Sequence, residues 1–169
     1  KNLREFDSSH RAAMDLIPGK LSWLPCAAHK KRVDDDCCVF ALEDYIDDDL
    51  LRGGRYSVVH YGPKVFGEAF GPLALDQTIR FCSVMDTLLK KFKHVLVLKT
   101  QDPRETANLA VLLGAFLLLQ RCWSVEDIAD RLPEEARLSF HCSWAKASAP
   151  ASLLTVRDCW SGLQMAREQ

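Results

Sequence analysis

The sequence lacks several patterns that carry chemistry, and each absence closes off a class of function. There is no Cys-x-x-Cys pair, so the usual zinc-knuckle spacing is missing. There is no Gly-x-Ser-x-Gly, which leaves a hydrolytic triad without local support. Asp34-Asp35-Asp36 and Asp47-Asp48-Asp49 lack the alternating ligands, central glycine and terminal glutamate of a calcium loop, and read as solvated acidic loops. The near-continuous apolar run from Leu109 to Leu119 is well short of the roughly 20 residues that span a bilayer, so it is a core segment. No basic-then-apolar signal segment opens the chain, which starts at Lys1 and is expected to be a fragment or a processed product. A formal net charge of −1 gives no reason to expect nucleic acid or a membrane as partner.

What remains is an ordinary globular composition. The 169 residues are 48% hydrophobic and 27% charged, with no repeat, low-complexity tract or internal linker, which suits a single domain over residues 1–169. Seven cysteines (Cys26, Cys37, Cys38, Cys82, Cys122, Cys142 and Cys159) are odd in number, scattered, and often set among apolar neighbours. They indicate free thiols in a reducing, intracellular compartment.

The chain is organised around His94 to Leu119. Val95 to Leu98 has the continuous apolar character of a central strand covered on both faces. Six residues follow, and then a helix so apolar that it must be buried all round. Upstream, Ser8 to Ile17 reads as a short helix capped by Ser8 or Ser9 and closed by Pro18-Gly19. Lys20 to Leu24, Cys37 to Leu42 and, after the Gly53-Gly54 break, Tyr56 to Tyr61 read as strands. Leu73 to Phe92 is an amphipathic helix with Pro72 in its first turn and Leu75, Ile79, Cys82, Met85, Leu88, Leu89 and Phe92 on its apolar face. Ser124 to Asp127 opens a short helix that ends at Leu132, before Pro133. Ser152 to Arg167 closes the chain as a helix with Leu154, Cys159, Leu163 and Ala166 available for one face. The fold class is α/β, a small mixed sheet flanked by helices.

A strand that enters a helix through a tight loop is a natural anion site, because free N–H groups and the helix dipole point into the loop. A cysteine-dependent phosphatase adds a thiolate at the strand end and an arginine six residues later that clamps the phosphate. Here the loop is Lys99, Thr100, Gln101, Asp102, Pro103 and Arg104, with neither cysteine nor glycine. Asp102 repels a dianion and Pro103 removes an N–H donor. A Cys-x5-Arg does occur from Cys26 to Arg32, but it lacks glycines and runs into Asp34 to Asp36, as a surface-loop cysteine would. His10, His29, His60, His94 and His141 are scattered, and each is expected to pack or meet solvent; adjacent His141 and Cys142 face opposite ways in an extended segment. No catalytic residue, metal ligand or cofactor site is expected.

Four segments in order resemble one family. Phe70 to Leu75 (FGPLAL) is similar to the FGPLNL segment of Cdc14-type dual-specificity phosphatases, in their N-terminal, non-catalytic domain. Asp102 to Phe116 resembles that domain's degenerate loop and helix, DQRKRANAAFLIGAY, with Asp102, Arg104, Ala107, Asn108, Ala110, Leu112, Gly114 and Ala115 identical. Ser124 to Asp127 falls where the family has T-P-E-E. Leu154 to Cys159, followed by Gly162-Leu163, looks like its closing helix.

The resemblance implies a phosphatase-like fold with a degenerate phosphate loop, which lines one side of a partly acidic substrate groove and docks on a catalytic second domain absent from this chain. It implies Asp15, on the first helix, as a groove residue. Its expected partners are that catalytic domain or other proteins, and phosphoprotein substrates, in the nucleus or in the cytoplasm and cytoskeleton. A stand-alone pseudophosphatase interaction module is the alternative. Glu105-Thr106 stands where the family has a basic pair, which reverses local charge and bears on substrate preference.

Overall fold

A computed structural model describes residues 14–24, 36–40, 72–99, 103–140 and 154–169. The strand expected at Tyr56 to Tyr61, the caps Ser8 and Ser9, the Cys26 to Arg32 segment, the Asp47 cluster, and His141 with Cys142 lie outside these residues.

Among the described residues, four strands form one mixed sheet in the order β1-β2-β4-β3. They are β1 (Met14–Ile17), β2 (Leu21–Leu24), β3 (Cys37–Phe40) and β4 (His94–Leu98). β1 pairs antiparallel with β2, whereas β4 sits between β2 and β3 and runs parallel to both. Four helices among the described residues accompany the sheet: α1 (Leu75–Lys91), α2 (Pro103–Arg121), α3 (Val125–Arg131) and α4 (Val156–Arg167), with a 3-10 turn at Glu135–Arg137. The small mixed sheet with flanking helices agrees with the sequence reading.

The expected first helix is corrected: residues 14–17 are a strand. Pro18-Gly19 is the hairpin turn that joins β1 to β2, not a helix stop. Lys20 N–H returns to the Ile17 carbonyl at 3.0 Å, with Gly19 at φ +65°. Proline at the second position and a positive-φ glycine at the third are the requirements of a type II turn. The hairpin buries Leu16 and Leu21 completely, a burial that one isolated helical turn does not provide.

On one face of the sheet Leu21, Trp23, Val95, Val97 and Phe40 are buried and join the core. The register Leu21↔Val95↔Cys38 and Trp23↔Val97↔Phe40 explains why these side chains share a face. Leu96 and Leu98, on the other face, are half-buried, so β4 is less enclosed than its apolar run suggests. α2 meets the expectation of complete burial: every side chain from Leu109 to Leu118 is buried, with Gly114 between them.

Of the expected face of α1, Cys82, Met85 and Leu89 are buried and Leu88 and Phe92 pack against the core, but its first turn differs. Leu75 and Ile79 are 59% and 52% exposed, and the buried stripe is Thr78, Phe81, Cys82, Met85 and Leu89. Phe81, outside the expected face, takes the core position in place of Ile79. Phe40 decides it, meeting Phe81 edge-on at 5.6 Å between ring centroids and 81° between planes. Pro72 is not in the first turn. Leu73 stays in the core ahead of the helix, its N–H held by the buried Asn108 side chain at 3.2 Å, and Ala74 becomes the N-cap. At the chain's end, α4 starts at Val156 and buries Val156 and Trp160. Cys159 and Leu163 pack against the core as expected, but Leu154 precedes the helix and is 45% exposed, and Ala166 is exposed, so these two are corrected.

α3 and α4 open with the same device. The hydroxyls of Ser124 and Thr155 accept from the N–H of Asp127 and Asp158 at 3.1 Å, and each aspartate accepts in return from the cap's N–H and hydroxyl. The Ser124 hydroxyl holds the Asp127 carboxyl below the usual carboxylate range, and the Thr155 hydroxyl does the same for Asp158. A depressed folded-state pKa contributes stability above the unfolded value near 4 and loses it as pH falls through the folded value. Asp127→Asn/Asp158→Asn is therefore expected to melt below the parent chain at pH 7. The gap should close in thermal scans taken below about pH 4; a gap of constant size across that range contradicts the assignment.

Candidate functional site

In open α/β sheets ligands bind beyond the carboxyl ends of the parallel strands. Here those ends are Leu24, Phe40 and Leu98, and the loop that leaves β4 enters α2 at Pro103. Six residues before Arg104 stands Leu98, the last residue of β4 and half-buried. A phosphatase nucleophile would occupy that position, and leucine carries no nucleophile. Lys99 is tied to the sheet through its N–H, 2.7 Å from the Leu24 carbonyl. Its ammonium lies 2.9 Å from Glu135 Oε1, with the Glu135 side chain 5% exposed and that of Lys99 29%. The first cation of the loop is thus neutralised from within. Pro103 is the first residue of α2, a position that tolerates proline and offers no N–H to an anion. Thr100, Gln101 and Asp102 lie outside the described residues, and Arg104 belongs to the first turn of α2.

Asp15 is not on a helix. It lies in β1 opposite Ser22 of β2, and the Ser22 hydroxyl donates to Asp15 Oδ1. The same hydroxyl oxygen lies 2.8 Å from His94 Nε2. From α3, an Arg131 guanidinium nitrogen reaches the Asp15 carbonyl at 2.9 Å, while the guanidinium sits over the Trp123 ring at 5.8 Å. Ser22 is 1% exposed, His94 half-buried and Asp15 exposed.

The fold does not bring this row and the loop together. His94 opens β4 and Lys99 follows its last residue, a separation of about 16 Å at strand rise. Ser22 carries no expectation from the sequence, and His94 only that of packing or meeting solvent, whereas the fold sets its Nε2 against the Ser22 hydroxyl. Their only signal in the sequence is that Asp15 and Ser22 flank Pro18-Gly19 at hairpin spacing, and His94 joins them through parallel pairing from far along the chain.

Residues 15–166 match the family of the dual specificity protein phosphatase, N-terminal half. The chain belongs to this family. It is also similar to the tyrosine-protein phosphatase CDC14 homolog of Schizosaccharomyces pombe, at 28% identity over 129 residues, which cover 73% of this chain and 22% of that protein. The chain thus spans about a fifth of the length of this relative. The resemblance read from four short segments therefore holds over most of the sequence.

Within this N-terminal half, Cys82 and Cys159 are poor nucleophiles, since burial pushes both thiols up to about 11. Burial also raises Cys38. A phosphatase thiol requires the opposite shift. Among the described residues no group of three or more metal-ligating side chains converges, and no helix is long and apolar enough to cross a membrane.

Proposed function

We propose that this chain is a non-catalytic half of a Cdc14-like phosphatase, contributing a wall of the substrate groove and a docking surface for a catalytic second domain. The observation that carries the reading is the strand–loop–helix from β4 to α2. It has the architecture of a phosphate loop, but Leu98 stands at the nucleophile position and Lys99 is paired internally with Glu135. Such an element still positions strands and helices, because its apolar residues supply much of the core. Asp15 is offered as a groove residue because its exposed carboxylate fits a cationic stretch of a phosphoprotein substrate. A groove shared with a second domain does not need to lie over the retired loop.

The purified chain is expected to show no turnover of an aryl phosphate. Turnover that disappears in Cys26→Ser would overturn this, since that change removes the chain's Cys-x5-Arg nucleophile. A second reading, a stand-alone pseudophosphatase module that docks on other proteins, is favoured by Asp102 and Pro103 in the loop and by Glu105 after it. Reading the transcript downstream of Gln169 separates the two. A His-Cys-x5-Arg within the next domain's length supports the catalytic-partner reading, and a stop codon or an unrelated sequence supports the module.

A further inference from the structure

Three strands are joined at one place by side chains alone: Asp15 from β1, Ser22 from β2 and His94 from β4. The proton count of this row fixes its polarity. A serine hydroxyl has one hydrogen, and an ionised carboxylate only accepts. The Ser22 hydrogen therefore goes to Asp15 Oδ1, and Ser22 Oγ accepts from His94. It follows that His94 carries a hydrogen on Nε2, whether the ring is neutral or charged. The buried hydroxyl is then fully used, as a polar group that is 1% exposed should be. Asp15 is held from behind as well, because Arg131 engages its carbonyl. Its second carboxylate oxygen has no partner among the described residues, and the residue is exposed.

This row is not a hydrolytic triad. In a triad the histidine stands between serine and carboxylate and takes the serine's proton. Here serine is in the middle, inaccessible, and donates away from the imidazole. What the arrangement does is immobilise, on an exposed residue, a carboxylate with one oxygen engaged and the other without a partner among the described residues. Fixing a charged group before binding lowers the ordering cost of its contact with a cation.

We propose that Ser22 and His94 are positioning residues for Asp15, holding its carboxylate as an outward anion that accepts a cationic side chain of a protein ligand. The proposal rests on Asp15 being a groove residue and adds the two residues that set its geometry. Neither touches the ligand. They act through Asp15.

The test uses the whole chain and two readouts. The first is the tautomer of the His94 ring, read from two-bond nitrogen–proton correlations at a pH where the ring is neutral. Nε2–H is expected, and Nδ1–H overturns the proposal without any variant having to fold. The second is binding of trilysine, followed at the Asp15 carboxyl carbon and by calorimetry. Asp15→Asn should abolish binding. Ser22→Ala should weaken it about tenfold, as expected when a hydrogen bond to a charged group is lost, and His94→Leu, which removes only the bond behind Ser22, should weaken it by less. Ser22→Thr keeps the hydroxyl and His94→Gln keeps a donor at the same reach, so both should restore affinity. If Asp15→Asn abolishes binding while Ser22→Ala leaves it unchanged, the positioning role fails and the groove reading stands. If Asp15→Asn itself changes nothing, the groove reading fails and the proposal falls with it.

Discussion

Gly114→Ala is expected to destabilise the protein by about 3 kcal/mol, the upper end for adding volume to a packed core. Gly114 lies in the middle of α2, where a Cβ would sit 2.0 Å from Trp160 Nε1 and 2.3 Å from Cε2. Trp160 comes from α4, is completely buried, and donates its indole N–H to the Ala110 carbonyl at 3.2 Å. The ring is anchored one helical turn from the glycine and has no room to withdraw. Helix propensity opposes the effect, since alanine is better than glycine by about 1 kcal/mol in a helix interior. At two contacts below 2.5 Å the clash outweighs that gain.

In a domain of this size the loss corresponds to a fall in melting temperature of roughly 10 °C. The decisive measurement is a double-mutant cycle by urea unfolding. Trp160→Ala alone should cost about 3–5 kcal/mol by leaving a cavity. In that background Gly114→Ala should become neutral or slightly stabilising, because the atoms it would strike are gone. Equal costs of Gly114→Ala in both backgrounds would mean that the glycine serves something other than Trp160.

The second large effect concerns the segment that leaves β4. Lys99→Met is expected to cost about 3 kcal/mol, the lower end for breaking a buried ion pair, because Lys99 keeps some solvent contact. The cost arises at Glu135, whose carboxylate is left in the core beside the 3-10 turn without its cation. Replacing both partners, Lys99→Met/Glu135→Leu, should recover most of the loss, since a well-packed apolar pair of similar volume often matches a buried ion pair. Urea unfolding of the two variants reads this directly. A double variant no better than Lys99→Met alone would show that the lysine stem, rather than the charge, holds the site. Neither change should create or abolish phosphatase turnover, because Leu98 remains at the nucleophile position.

Both predictions lie on segments that the sequence had already marked. Gly114 was one of the identities in the family resemblance, yet nothing in the order of residues says why glycine is needed there. The reason is a tryptophan 46 positions later, visible only once α4 lies across α2. Lys99 was read as the first residue of a possible anion loop. Its partner is 36 residues away, in a turn that propensity alone does not single out.

The misread segments share a cause. Met14 to Ile17 is too short to display a period, so its local preference was ambiguous and the pairing Asp15↔Ser22 made it a strand. In α1 the apolar spacing marked Cys82, Met85 and Leu89 but not Phe81, which the position of Phe40 on β3 draws into the core.

What the sequence by itself determined are the features set by neighbours a few residues apart. These include the apolar run from Leu109 to Leu118 buried within α2, the cap at Ser124, and a strand followed by a helix with no nucleophile between them. Each rests on a continuous apolar run, a cap hydroxyl or a missing thiol, all local. The tertiary structure alone decided that Phe81 rather than Ile79 is buried in α1, what Gly114 makes room for, and that Glu135 takes up the Lys99 charge. It also decided that Asp15, Ser22 and His94 form one ordered row. These depend on contacts between residues far apart in the chain, which packing selects and no local pattern encodes.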